Sequence, residues 1–196
     1  MARLRSPGRR AVTRATAFVG ALLLGGWPVL VAPADDEPTV LERRVKAAFI
    51  FKFTGYIDWP EGAFLQADTP VTIAVAGDDE MAAELAQVVA GRAVDGRALL
   101  VRKPKGADSL ADAHVLFVGR AEAARLPQWV KMARSRPVLI VTEAAGALNH
   151  GGMINFLVTE GRVRFEVSLE ETEKHGLKLS SRLLAVAQNV RKAAPQ

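Results

Sequence analysis

The residues of this chain able to do chemistry are few and scattered. It has three histidines, His114, His150 and His175, and no cysteine. No two histidines stand at i, i+4, so no helix presents a pair of them to one metal ion. His150 precedes a glycine pair in "ALNHGGMINF", residues 147–156. Paired glycines cradle a phosphate where they open a helix, but the run after Gly152 is β-rich. Gly151 and Gly152 are therefore read as a turn that needs positive φ or close backbone approach. His150 is a turn residue and a candidate ligand contact. The acidic stretch "GDDE", residues 77–80, follows a strand and opens a helix, where open α/β sheets bind ligands. Asp78 and Asp79 are candidate ligand contacts there, although carboxylates at a helix start also serve as N-cap and dipole partners. No GxSxG elbow, Walker loop, GxGxxG turn or HExxH pair is present, so no catalytic residue, metal or cofactor is assigned.

Two further groups suit recognition better than catalysis. Of 12 aromatic residues, six fall between positions 49 and 64: Phe49, Phe51, Phe53, Tyr56, Trp59 and Phe64. Phe49 and Phe53 share a helix face, whereas Phe51 points elsewhere and Trp59 follows the helix. Phe51 and Trp59 are candidate partner contacts, since aromatics are enriched at interfaces. In "RVRFEVS", residues 162–168, Val163, Phe165 and Val167 alternate with charged or polar residues. Arg162, Arg164 and Glu166 would then form the polar rim of an interface. On that reading Glu166→Lys weakens partner binding and leaves the melting temperature nearly unchanged.

The elements that must hold these residues follow from periodicity and punctuation. Thr39 and Glu42 form a capping box that opens a helix ending near Gly55, with Leu41, Val45, Ala48, Phe49 and Phe53 as its apolar face. Strands are expected at 71–77, 98–103, 114–119, 137–142, 153–159 and 162–168. Helices are expected at 79–91, at 121–134 with Pro127 in its first turn, after Ser168, and from about Ser180 to Lys192. Glu160-Gly161 joins the last two strands as a hairpin. Strands alternating with helices, then a hairpin, then a helix predict one three-layer α/β domain, with a mixed sheet of about six strands and about five helices.

The first 34 residues read differently. Five arginines without an acid, an apolar run from Ala15 to Val31, and Ala32-Pro33-Ala34 have the layout of a cleaved signal peptide. The expected domains are thus a signal peptide, 1–34, and an α/β domain, 35–196. The whole chain has 26 basic and 21 acidic residues; without the leader's five arginines the charges balance. Nucleic acid, which is held by clustered positive charge, is not an expected partner. An exported domain without disulfides must be stabilised by its core alone.

In order and spacing, "VKAAFIFKFTGYIDWP", "VTIAVAGDDE", "VLFVG", "GGMINF", "GRVRFEVSL" and "GLKLSSRLLAVAQNV" resemble the YfiR-like family of periplasmic regulators. The resemblance covers about residues 40–192. It implies an exported, non-enzymatic α/β domain, usually a homodimer, located in the periplasm. It implies binding to, and repression of, the periplasmic sensor part of a membrane diguanylate cyclase or similar sensor. An outer-membrane lipoprotein that withdraws the regulator would then raise cyclic-di-GMP and favour biofilm. The family pattern includes disulfide-forming cysteines, which this chain lacks, so redox control is not carried over. The other reading of the residues is a periplasmic small-ligand-binding protein that feeds a membrane sensor or transporter, with Gly77-Asp78 and Gly119-Arg120 at its site.

Overall fold

The structure is a computed structural model that describes residues 39–105 and 110–192. The expected leader lies outside the described residues. Five α-helices, α1 (Val40–Thr54), α2 (Asp79–Val89), α3 (Leu126–Ala133), α4 (Leu169–Lys174) and α5 (Ser181–Val186), accompany the strands. All six expected strands form: β2 (Val71–Ala76), β4 (Arg97–Arg102), β5 (Val115–Val118), β6 (Leu139–Thr142), β7 (Ile154–Thr159) and β8 (Arg162–Ser168). Four short strands join them: β1 (Ile57–Asp58), β3 (Ala93–Val94), β9 (Lys178–Leu179) and β10 (Asn189–Arg191). The main sheet has eight strands in the order β10-β8-β7-β6-β5-β2-β4-β3, and β1 pairs with β9 in a separate ribbon.

The centre of the sheet, β4-β2-β5-β6-β7, is parallel, and β7 and β8 form the antiparallel hairpin. Every residue of β2, β5 and β6 is buried, as strands covered on both faces must be. From β2 the chain crosses through α2 to β4 on one side. From β5 it crosses through α3 to β6 on the other. Right-handed crossovers in opposite directions put α2 and α3 on opposite faces of the sheet. This is the α/β domain expected from the sequence, with more strands than the six counted there.

Local signals explain most boundaries. Thr39 Oγ1 accepts from the Glu42 N–H at 3.1 Å, and Asp78 Oδ1 accepts from the Met81 N–H at 2.7 Å. Residues 120–125 form a 3₁₀ turn, so α3 begins afresh at Leu126 with Pro127 in its first turn. Two expectations are corrected. The last helix stops at Val186 rather than Lys192: Ala187 turns to extended backbone (φ −70°, ψ 140°), and residues 189–191 pair with β8 as the sheet's edge strand. The face that α1 buries is also rotated. Leu41 is 70% exposed, while Lys46, Ala47, Ile50, Phe53 and Thr54 are buried. A reading that places only apolar residues inside cannot anticipate a buried lysine.

Candidate interaction surface

Phe49 and Phe53 of α1 meet Phe156 of β7 and Phe165 of β8 in one aromatic cluster. Its ring centroids are 5.1 to 6.2 Å apart, some pairs stacked and others edge-to-face. Where this cluster reaches the surface, α1, β8 and α5 enclose a groove of about 300 Å³. Its floor includes Phe49, Phe53, Phe165 and Leu183, and Val186 at its mouth is 64% exposed. Lys52, Arg164 and Arg182 stand exposed around it, and among the described residues no carboxylate lines it. The floor is apolar and the rim is cationic.

The residues expected at a partner interface separate. Arg164 lines the groove and Arg162 is exposed nearby on the same strand. Glu166 turns inward: its Oε1 accepts from Asn155 Nδ2 at 2.9 Å, and Asn155 Oδ1 accepts from Thr142 Oγ1 at 2.7 Å. Asn155 and Thr142 are buried, so Glu166 completes an internal hydrogen-bond chain. Phe51 is half-buried under the Arg92 guanidinium, 5.0 Å from its ring centre. Trp59 is half-buried against Phe64 and His114, with centroids at 5.9 and 5.7 Å.

The strand-end crevice of the ligand reading keeps a cleft of about 270 Å³, lined by Gly77, Asp79, Lys103, Glu122, Arg125 and Trp129. Asp78 caps α2, and Asp79 sits exposed with Lys103 Nζ at 3.2 Å. A Cβ on Gly77 would lie 2.6 Å from Glu122 Cγ, and one on Gly119 would lie 2.9 Å from Asp78 Cβ. The two glycines let these loops pack against each other beside that cleft. Gly151 behaves as expected: its φ is +92°, and a Cβ there would lie 2.7 Å from Val130 Cγ1. His150 is exposed and lines a cleft of about 560 Å³ between α3 and α4, with Lys131, Arg134 and Lys174.

Two features were not anticipated from the sequence. Lys46, 1% exposed, donates to Glu143 Oε2 at 2.6 Å and to Glu42, which also receives Arg120 at 3.5 Å. This joins α1 to the segments after β5 and β6. Glu42 and Lys46 are four residues apart, a visible hint, but Glu143 is distant in sequence. The other is His114, whose Nδ1 accepts from the Thr72 N–H at 3.1 Å. Its Nε2 therefore carries the proton and donates to the Ala63 carbonyl at 3.1 Å. Burial lowers its pKa below the ordinary value, which outweighs the opposing pull of the Ala63 bond and Asp112. Among the described residues no three histidine, aspartate or glutamate side chains stand together as a metal site, and no helix is long and apolar enough to cross a membrane.

The family model described as YfiR/HmsC-like matches residues 43–188. The chain belongs to the YfiR/HmsC-like family. A search of curated protein sequences gave no match. Among solved structures, a conserved domain protein from Vibrio cholerae O1 biovar El Tor is similar in fold, with a TM-score of 0.54 at 10% identity. The match covers 76% of this chain and 60% of that one, so the chain spans less than two thirds of that protein's length.

Proposed function

We propose that this protein is an exported, non-enzymatic regulator that binds the periplasmic part of an inner-membrane signalling protein and holds it inactive. A diguanylate cyclase is the first candidate. The observation that carries this reading is the family match over residues 43–188. The groove between α1, β8 and α5 supplies a face for such binding, with Arg164 on it and Arg162 beside it. In this reading the protein works in the periplasm as a homodimer, and an outer-membrane lipoprotein withdraws it to release the cyclase. Deleting the gene should raise intracellular cyclic-di-GMP. The purified exported protein should capture at least one periplasmic domain from the membrane cyclases of the same cell at micromolar concentration. Unchanged cyclic-di-GMP together with no capture by any cyclase domain would sink the proposal.

A second reading, a small-ligand-binding protein feeding a membrane sensor, has two clefts in its favour. His150, Lys131, Arg134, Glu171 and Lys174 line the α3–α4 cleft, and Asp79, Lys103, Glu122 and Arg125 line the one at the strand ends. A ligand bound only by the folded state must raise the melting temperature. A flat thermal-shift panel of metabolites and nucleotides removes this reading.

A further inference from the structure

Eight of the 21 cations among the described residues pair with a carboxylate. Arg43 pairs with Glu80, Arg44 with Glu84, Arg102 with Asp112, Lys103 with Asp79 and Arg125 with Glu122. Lys52, Arg164 and Arg182 have no such partner among the described residues, yet they converge on one groove with an apolar floor. Like charges around a low-dielectric concavity repel one another, and any carboxylate brought there is attracted more strongly than it would be in open water. Two of the three are arginines, whose planar guanidinium forks suit bidentate carboxylate recognition. The volume, about 300 Å³, is at the small end of ligand-sized pockets. It admits a large apolar side chain rather than a whole helix face.

Two occupants fit poorly. A second copy docked isologously on this face would bring the same three cations against their own copies. A bilayer surface presents no ridge to reach a concave floor lined by Phe49, Phe53 and Phe165. We propose instead that the groove takes an acidic segment of the regulated membrane protein: a large apolar side chain enters against Phe165 and Leu183, and flanking carboxylates pair with Arg164, Arg182 and Lys52. This rests on the reading of the protein as a regulator of a membrane partner, and it specifies the chemistry of that partner's contact.

Overlapping peptides tiling the periplasmic segments of the same cell's membrane cyclases provide the probe, each with an Asp/Glu→Lys counterpart. The exported protein should bind peptides in which an apolar residue is flanked by at least two carboxylates, and the affinity should fall as salt rises. The double variant Arg164→Glu/Arg182→Glu should bind them at least tenfold more weakly and should gain binding to the lysine counterparts. Val186→Glu, at the mouth of the groove, should also weaken binding. All three positions are exposed, so melting temperatures should stay close to that of the unmodified protein. Equal binding of acidic and lysine peptides overturns the inference, as does equal binding by the double variant. Co-sedimentation with phosphatidylglycerol vesicles that only the unmodified protein shows would also overturn it, in favour of a lipid surface. If the double variant captures the intact cyclase domain as well as the unmodified protein does, the groove is not the contact and the regulator reading stands. If the unmodified protein captures no domain and deleting its gene leaves cyclic-di-GMP unchanged, both fall.

Discussion

Lys46 carries a full charge into the core and is held there by two carboxylates, Glu42 and Glu143. A buried ion pair stabilises little beyond its own desolvation, but removing one partner strands the other. Lys46→Met should therefore cost about 3–5 kcal/mol by leaving Glu143 buried and unpaired. Lys46→Met/Glu143→Met should be more stable than the single variant, as chemical denaturation can measure; a double variant that is worse still would show that the two side chains do not act as a pair. His114 gives a pH dependence whose sign follows from its geometry. Its Nδ1 can accept from Thr72 only while that nitrogen is unprotonated, and its folded pKa lies below the ordinary histidine value of 6.5. Below that ordinary value the unfolded chain binds the proton first, so the His114 contribution is full above about pH 6.5 and is lost as pH falls through the folded pKa. Asn at 114 keeps an acceptor at the Nδ1 position without titrating. The melting temperature of the native protein should drop relative to His114→Asn between pH 7 and 5, and parallel curves would remove His114 as the source. Glu166 reverses its sequence-based prediction. Because it accepts from buried Asn155, Glu166→Lys should lower stability by about 1–3 kcal/mol, the cost of an unsatisfied buried amide. A melting temperature unchanged by this substitution would restore Glu166 to the surface rim.

At the scale of elements, local chemistry made most of the architecture legible. The Glu160-Gly161 turn has φ of +52° and +69°, as a two-residue hairpin of the primed type demands. Asp95-Gly96 repeats it with φ of +51° and +76° between β3 and β4, where a strand of two residues is too short for alternation to mark it. The last helix ends earlier than its spacing predicts for a similar reason. Leu183, Val186, Ala187 and Val190 keep helical spacing, but pairing with β8 takes residues 189–191 into the sheet. Periodicity cannot see a partner strand. For the same reason, the cations Lys52, Arg164 and Arg182 look like ordinary solvated charges until the fold brings three distant segments together. Gly151 belongs to the legible part, and its cost can be stated. An alanine there would meet positive φ and the Val130 side chain together. Gly151→Ala should cost about 2–4 kcal/mol, the sum of left-handed strain and overpacking, and should lower the melting temperature by roughly 5–15 °C for a domain of this size. A shift of a degree or two would mean that Val130 yields freely.

Across the whole molecule, charge is balanced in number and uneven in place. Residues 35–196 carry equal numbers of acids and bases. Many acids serve in caps or in pairs such as Glu80 with Arg43 and Glu122 with Arg125, and among the described residues the charged groups that line the α1–β8–α5 groove are all bases. Both edges of the main sheet end in short strands, β10 of three residues and β3 of two, so neither offers a long template for pairing with another chain. If the protein dimerises as the regulator reading expects, the dimer contact must avoid the cationic groove, because isologous docking there sets like charge against like. Self-association and partner binding are then separable by mutation. Arg164→Glu/Arg182→Glu should abolish partner binding while leaving the mass measured by light scattering the same as for the unmodified protein, at low and at high salt. Loss of the dimer in this variant would place the two-fold contact in the groove and take that surface away from the partner.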